Sequence, residues 1–465
     1  MSNTSISRGF YATLSLPATA MGFALCVQIA ALSWILNTKY GLNIEEIGYV
    51  WLAGPVAGIL GQVIIGAISD NVWLWGGRRR PFIIIGGTLA ALMILALPYL
   101  DVINETLGIG SIIGVAITVA LTLDLAINVS FNPARSIIAD VTPAGDPRTK
   151  GYTWMQTISG FFGVLAYLIG AFVSNYFLIY TGAVIVFVFA VIPPFFIREP
   201  RELEGEAPPE SPEVLEALVT DVGENPGAEN RSGEGNDRLA PNNTDWTAFL
   251  KICLAHAFTW VGVQTMFIYT FAYIKEVIMG YETTAELTEA QNNEIGFSIG
   301  IAFAILNTVG FLLPALVLEP VAERIGRVRT HTIAIAVSAL GYLLIVYLGT
   351  SVTSFFILMA VVGVGWAAIV SLPFAIMSEV VDQRKMGLMM GLFNLSVVLP
   401  QIVASNLGGF IEGSADKTSI FWISTITLGV SALLWLLVKE QSRGVTPGRA
   451  RGRKRAGAVS AGGGH

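Results

Sequence analysis

Charge is what this chain of 465 residues has little of: 13% of its residues are Asp, Glu, Lys or Arg, against 54% hydrophobic. A soluble domain carries about one quarter charged residues, so an ordinary water-facing globule is excluded, and the mean hydropathy of +0.66 agrees. Cysteine is scarce as well. Cys26 and Cys253 both fall in apolar runs with no C-x-x-C spacing, which argues against a disulfide framework or a metal site and leaves them as small packing residues. The histidines, His256, His331 and His465, form no ligand cluster, and His256 reads as a packing group ahead of a proton-linked one. A nucleophile with a neighbouring base, a metal cluster and a phosphate-binding glycine loop are all missing, so an enzyme is the weakest reading. No cofactor and no nucleic-acid partner is expected. The first apolar run lacks a basic n-region and a small-residue cleavage site, and is read as a retained helix instead of a signal peptide.

What the chain does have is apolar runs of roughly 20 residues, long enough to cross about 30 Å of hydrocarbon at 1.5 Å per residue. Twelve are expected, over 12–37, 47–69, 82–100, 112–140, 152–176, 178–197, 247–278, 295–318, 331–349, 354–380, 387–411 and 418–438. The class is an all-α membrane protein. Lys and Arg collect in alternate loops: Arg78, Arg79 and Arg80; Arg148 and Lys150; Arg324, Arg327 and Arg329; Arg384 and Lys385; and the tail from Lys439 to Arg455. The intervening loops are mostly acidic, with Glu45, Glu46, Glu105, Glu282, Glu286 and Glu289, so both termini are expected to be cytoplasmic. The expected organisation is a terminus (1–11), a six-helix half (12–197), a linker (198–245), a second six-helix half (246–438) and a basic tail (439–465). The linker is rich in Glu, Pro, Gly and Asn and poor in aromatics, so it cannot bury enough surface to repay its own ordering.

The halves repeat one another. "GAISDNVWLWGGRRRP" (66–81) follows the second span and "EPVAERIGRVR" (319–329) the eighth, each with an acid ahead of Gly-Arg: Asp70 before Gly77-Arg78, and Glu323 before Gly326-Arg327. Spans four and ten both end in an acid after a proline, Asp140 and Glu379, and spans five and eleven are expected to start on Gly151 and Gly387. Two related six-helix halves are the plan of the major facilitator transporters, with substrate bound between the halves near the bilayer midplane. Asp70, Arg78 to Arg80, Asp140, Glu323, Arg327 and Glu379 then read as a gate that closes in one state and releases in the other.

Span four, "LTLDLAINVSFNPARSIIAD" (121–140), carries Asp124 about 12 and 16 residues from its ends. A carboxylate at that depth must be paired, wet or protonated. Arg135, eleven residues on, returns to within roughly 20° of the same face but lies about 16 Å away along the axis. An approach through bending at Asn132-Pro133, through water or through substrate hydroxyls is expected, and not a locked bridge. Asp124 is thus the candidate proton carrier and Arg135 its partner. Gln28, Ser33, Asn128, Gln264, Asn394 and Gln401 lie at membrane depth, with Trp34, Phe131, Tyr269, Tyr273 and Trp366 nearby. Amides beside flat aromatic faces suit an uncharged polyhydroxyl ligand.

"WLAGPVAGIL", "SDNVWLWGGRRRPFI", "DLAINVSFNPARSIIADV" and "GLFNLSVVLPQIVAS" resemble the sucrose–proton symporters of plants and their animal and bacterial relatives, in the glycoside-pentoside-hexuronide:cation branch of the major facilitators. The resemblance covers nearly all twelve spans. It implies that Asp124 matches the family's proton-carrying aspartate, Arg135 its partner and Gln28 the glutamine beside the sugar, with Asn394 and Gln401 inside the eleventh-span motif. Plant members carry a further arginine before the Gly-Arg-Arg-Arg loop, where this chain has Leu74, Trp75 and Gly76. Their seventh span bears aspartates before an Arg-Glu pair, whereas "YTFAYIKEV" supplies only Lys275 and Glu276, a difference that bears on sugar identity and extracellular gating. The expectation is a monomeric proton-coupled importer of sucrose, maltose or another glucoside in a bacterial inner membrane, with an exporter of another small molecule and a non-transporting sugar sensor as the rivals.

Overall fold

The computed structural model describes residues 6–58, 73–143, 146–200, 244–282, 286–381 and 386–439. Asp70, most of the linker and almost all of the basic tail lie outside them. The chain is built from α1 (Arg8–Thr38), α2 (Ile44–Trp51, resuming to residue 58), α3 (Arg80–Leu107), α4 (Ile112–Val141), α5 (Asp146–Phe172), α6 (Asn175–Val191), α7 (Trp246–Ile278), α8 (Glu289–Leu313), α9 (Arg327–Leu348), α10 (Val352–Ser378), α11 (Met386–Ser405) and α12 (Ser419–Trp435). Ten of these are long and apolar enough to cross a membrane; α12 is a shorter apolar helix and α2 is described only in part. Helices rule because lipid offers no hydrogen bonds to a backbone, and an α-helix satisfies its own.

Several helices begin outside the apolar runs, because polar caps extend them into the interface. Ser7, Ser111, Ser174 and Asp245 each accept a backbone N–H from the first turn of α1, α4, α6 and α7. Thr288 and Gln291 form a capping box that starts α8 at Glu289 and not at 295. Gly151 and Gly387, expected as helix starts, lie within α5 and α11. At Gly151 a Cβ would come within 2.7 Å of Ile138 Cγ2, so its smallness seats α5 against α4. Pro133 leaves the helical run of α4 unbroken. Two helices end in π-helical turns, Tyr273–Ile278 in α7 and Pro314–Leu318 after α8.

The packing repeats with the sequence. In the first half α1 packs on α5 and α6, and α3 on α4 and α6; in the second, α7 packs on α11 and α12, and α9 on α10 and α12. Between the halves α5 meets α8, and α2 meets the short helix Gly408–Glu412 that follows α11. The same twofold relation appears in the charges at the basic face. Arg79 Nε donates to Asp140 Oδ2 at 3.0 Å, tying the start of α3 to the end of α4, and Arg327 pairs with Glu379 in the corresponding place between α9 and α10. Glu323 is exposed on the short helix Glu319–Ile325.

Glu199, which follows α6, completes the first of these junctions. Its carboxylate accepts the backbone N–H groups of Arg78, Arg79 and Arg80 at 2.8, 2.7 and 2.9 Å, where the α3 dipole favours an anion. Gly77 makes this possible, since a Cβ there would lie 2.3 Å from Glu199 Oε1. The chain reaches Gly77 through a tight turn with Trp75 and Gly76 both at positive φ, 52° and 74°.

The opposite face is where the halves meet. Among the described residues four hydrogen bonds cross between them on that side of the molecule: Ser33 Oγ to the Ile268 carbonyl, Trp34 Nε1 to the Asn292 carbonyl, Lys275 Nζ to Asn37 Oδ1, and Ile44 N–H to Glu412 Oε2. Glycines allow the approach. A Cβ on Gly48 would lie 2.3 Å from the Ser405 carbonyl oxygen and 2.7 Å from the Tyr269 hydroxyl, and one on Gly408 would lie 2.8 Å from Glu45 Cα.

Two outcomes follow from these faces. Gly48→Val, which puts methyl groups against backbone, is expected to pry this closure open and raise thiol labelling of a Ser33→Cys probe several-fold over the same probe in the parent; unchanged labelling would show that the closure tolerates the side chain. The Arg79–Asp140 pair is only 9% exposed on each side, whereas Arg327 and Glu379 are 31% and 26% exposed. Asp140→Asn should therefore cost about 3 kcal/mol, the low end for breaking a buried pair, and Glu379→Gln about 1 kcal/mol or less. Thermal unfolding in detergent checks the order, and an equal loss from both would refute it.

Candidate functional site

Among the described residues one carboxylate, Asp124, falls in the buried interior, along with buried neutral groups such as Gln28, Ser15, Thr19 and Ser130. Asp124 sits on α4 at 7% exposure, among the buried neighbours Val119, Ala120, Leu123, Ala126 and Ile127 of its own helix. Its Oδ2 accepts from Gln28 Nε2 of α1 at 3.0 Å. α2 comes close through Gly54, where a Cβ would sit 3.5 Å from the same oxygen, in ordinary van der Waals contact. One turn on, Asn128 Nδ2 donates to the Asp124 carbonyl at 2.8 Å. The side chain that holds Asp124 is thus a neutral amide. It can donate to a carboxylate, and by turning its amide over it can accept from a carboxylic acid.

Arg135 stands apart from that bond. Its guanidinium lies 3.9 Å from the centroid of the Phe131 ring, a cation–π contact one turn back along the same helix, and the residue is exposed. No ion pair joins Asp124 and Arg135 among the described residues, as the axial spacing of about 16 Å requires. The Arg135 carbonyl accepts from the Tyr152 hydroxyl of α5 at 3.3 Å.

In the second half Gln401 Nε2 of α11 donates to Gln264 Oε1 of α7 at 3.3 Å, which brings two of the sequence-selected amides together. Trp366 of α10 packs edge-on against Phe267 and Trp260 of α7, with ring centroids 5.3 and 6.3 Å apart. Gly310 of α8 leaves room for that indole, since a Cβ there would be 2.5 Å from Trp366 Cδ1. Asn394 is half-buried on α11.

Three selected aromatics are placed elsewhere, Tyr273 among them, fully buried with its hydroxyl donating to the Ile345 carbonyl at 3.1 Å. Trp34 is 2% exposed and bonds across the closed face, while Tyr269 is fully buried with its hydroxyl donating to the Ser405 carbonyl at 2.9 Å. In this conformation both serve the contact between halves. Lys275 is there too, 3% exposed and bonded to Asn37, and Glu276 lies 3.9 Å from Lys417. Glu199 and Glu412 were not picked out from the sequence. For Glu199 a signal existed: "REP" after the sixth span is echoed by "KEQ" after the twelfth. A groove of about 610 Å³ between α7 and α11 is lined by hydrocarbon, Leu250, Leu254, Leu395, Leu399 and Val403 among it, and has no part in this polar set.

The known proteins that this chain resembles are transporters. The family model described as Major Facilitator Superfamily matches residues 14–405 and again 286–461. The sucrose transport protein SUT2 of rice (Oryza sativa subsp. indica) is 23% identical, over 90% of this chain and 91% of that protein. The sucrose transport protein SUC4 of Arabidopsis thaliana is 24% identical over 83% and 81%. A general alpha-glucoside permease of Schizosaccharomyces pombe is 28% identical over 34% of this chain and 31% of its own. Among solved structures, the inward-open xylose transporter XylE of E. coli superimposes with a TM-score of 0.66 at 13% identity, covering 93% of this chain and 96% of that one. The nucleoside transporter NupG gives 0.63 at 14%, over 92% and 98%. Ten membrane-length apolar helices and a shorter one among the described residues, packed in two repeated halves with polar side chains inside α1, α4, α7 and α11, and a family match over most of its length make this chain a member of the major facilitator superfamily, an integral membrane transporter and not an enzyme.

Proposed function

We propose that the protein is a proton-coupled symporter of a disaccharide such as sucrose, maltose or another glucoside, working by alternating access. The observation that carries the reading is the state of Asp124: one carboxylate deep in the first half, held by the neutral Gln28 amide and not by a cation. An ion pair would hold the charged form in place, whereas an amide partner serves either protonation state. The relatives named as sucrose transport proteins, matched along nearly the whole chain, support the sugar part of the reading.

In the proposed cycle Asp124 takes a proton from the outer side, and sugar hydroxyls bind among Gln28, Asn128, Gln264, Asn394 and Gln401 with Trp366 and Phe131 as stacking faces. Arg135, freed from any direct bridge to Asp124, offers donors to a hydroxyl and senses the carboxylate through the cavity. The halves then rock about the site, the sugar leaves, and Asp124 releases its proton to the cytoplasm. Coupling requires that sugar prefer the protonated protein, because a ligand with equal affinity for both states shifts nothing. The proton is the coupling ion, no other cofactor takes part, and a monomer in a bacterial inner membrane, both termini cytoplasmic, is the working unit.

Proteoliposomes with an imposed inward proton gradient provide the test. Labelled sucrose or maltose should accumulate and be released by an ionophore. Asp124→Asn is expected to lose accumulation while retaining exchange of sugar across the membrane, and gradient-driven uptake at full rate in that variant would remove Asp124 from the role. Gln28→Leu should lower coupled uptake at least about tenfold, the effect of roughly 1.4 kcal/mol, since it strips the carboxylate of its amide partner.

A further inference from the structure

Away from Asp124, the second half buries a group of ring nitrogens that the transport reading does not use. His256 on α7, His331 on α9 and Trp435 on α12 are 1%, 0% and 0% exposed. His256 stacks on Phe393 of α11, with centroids 4.9 Å apart and planes at 14°, and His331 meets Trp435 at 4.4 Å. His331 is within electrostatic reach of His256. Apolar residues close the surroundings, including Ile252, Ala255, Val328, Ala334 and Ala368.

The hydrogen-bond inventory of this group does not balance. Trp260 Nε1–H donates to His256 Nε2 at 2.9 Å, so that nitrogen carries the lone pair and the neutral ring must bear its proton on Nδ1. His256 Nδ1 has no partner in the protein, nor do Nδ1 and Nε2 of His331, nor Nε1 of Trp435. The Ala368 carbonyl approaches His331 without meeting hydrogen-bond geometry. That makes three N–H donors, one each on His256, His331 and Trp435, and one imidazole lone pair, all buried on neighbouring helices. Buried polar atoms of this kind are almost always satisfied by protein or by ordered water.

We propose that these four nitrogens form an internal water-binding site of the second half, bridging His256 of α7 to His331 of α9 and Trp435 of α12. Each water oxygen accepts at most two of the three N–H groups, so at least two waters are required, one of which donates a proton to the remaining lone pair of His331. Water fits the chemistry better than the alternatives. A metal ion would need a third ligand, and no group of three His, Cys, Asp or Glu able to hold one exists among the described residues. The excess of donors over acceptors also disfavours a cation. The site ties three helices of one half together and leaves that half a titratable pair separate from the carboxylate of the first half.

The chain contains only three histidines, His256, His331 and His465, which makes the test direct. Full-length protein labelled with ¹⁵N-histidine, bearing His465→Ala, is placed in lipid bilayers for solid-state NMR. The expected result is a His256 ring protonated at Nδ1 and unprotonated at Nε2, with water-to-nitrogen cross-peaks at His256 and His331. The contact from the Trp260 indole proton to His256 Nε2 serves as the internal control. Seeing that control contact without any water cross-peak at either ring would overturn the site, because the cluster would then be dry packing. His331→Gln should shift the His256 Nδ1 resonance by altering the bridging waters, and a His256 signal unmoved in a folded variant would overturn the bridge.

Discussion

Lipid offers neither hydrogen bonds nor counter-ions, and this one constraint governs where every polar atom of the protein stands. Serine and threonine hydroxyls along the helices turn back to carbonyls four residues earlier, as Ser15, Thr19, Thr270 and Thr332 do. Charges are concentrated at helix ends, where Arg79 meets Asp140 and Arg327 meets Glu379. Against that background Asp124 is the exception, a carboxylate in mid-helix whose bonded partner is an amide. Among the described residues it is the one carboxylate in the buried interior, and the proposed function gives that position its use.

The two faces of the molecule solve different problems. On the basic face the strong contacts lie within each half: Glu199 caps α3, and the paired arginines and acids lock α3 to α4 and α9 to α10. These junctions tie neighbouring helices together within each half. On the opposite face the contacts run between halves, and they depend on glycines and backbone carbonyls that fit only at close range. Halves tied in this way, with a contact between them that depends on close fit, are what a rocking motion needs, since a packed interface is either seated or separated with little in between.

Much of this was legible in the sequence. Helix number, the repeat and the alternation of basic loops follow from apolar runs, Gly-Arg spacing and charge, all local or periodic signals. Asp124 stood out because a single acid at that depth is rare. What could not be read were contacts that depend on how distant helices approach: Gln28 reaching Asp124 across 96 positions, or Glu412 capping Ile44 across 368. Trp34 and Tyr269 show the same limit. An aromatic at membrane depth has the same composition whether it faces a cavity or seals a contact between halves, and only the tertiary arrangement separates the two. Caps at Thr288 and Ser351 moved helix starts outward for the related reason that a polar first turn is hidden from a hydropathy window but stable in the interface.

Magnitudes connect the closed face to the work a ligand must do. Four hydrogen bonds between described residues hold the halves together there, one from the Lys275 ammonium and one to the Glu412 carboxylate. At roughly 0.5–1.5 kcal/mol for a neutral bond and about 1.5–3 for a charged one, they sum to between about 4 and 9 kcal/mol. Reversing a two-state population from 1:99 to 99:1 takes about 5.5 kcal/mol of differential binding. The closure is therefore of the same order as the differential binding that would reverse it, which is what the proposed symport cycle requires. A much stronger lock, for instance several buried ion pairs across the halves, would hold the protein in one state whatever it bound. In the proposed cycle the neutral amide at Asp124 and the short-range contacts at the opposite face obey one rule: each is strong enough to define a state and weak enough to be exchanged for a ligand.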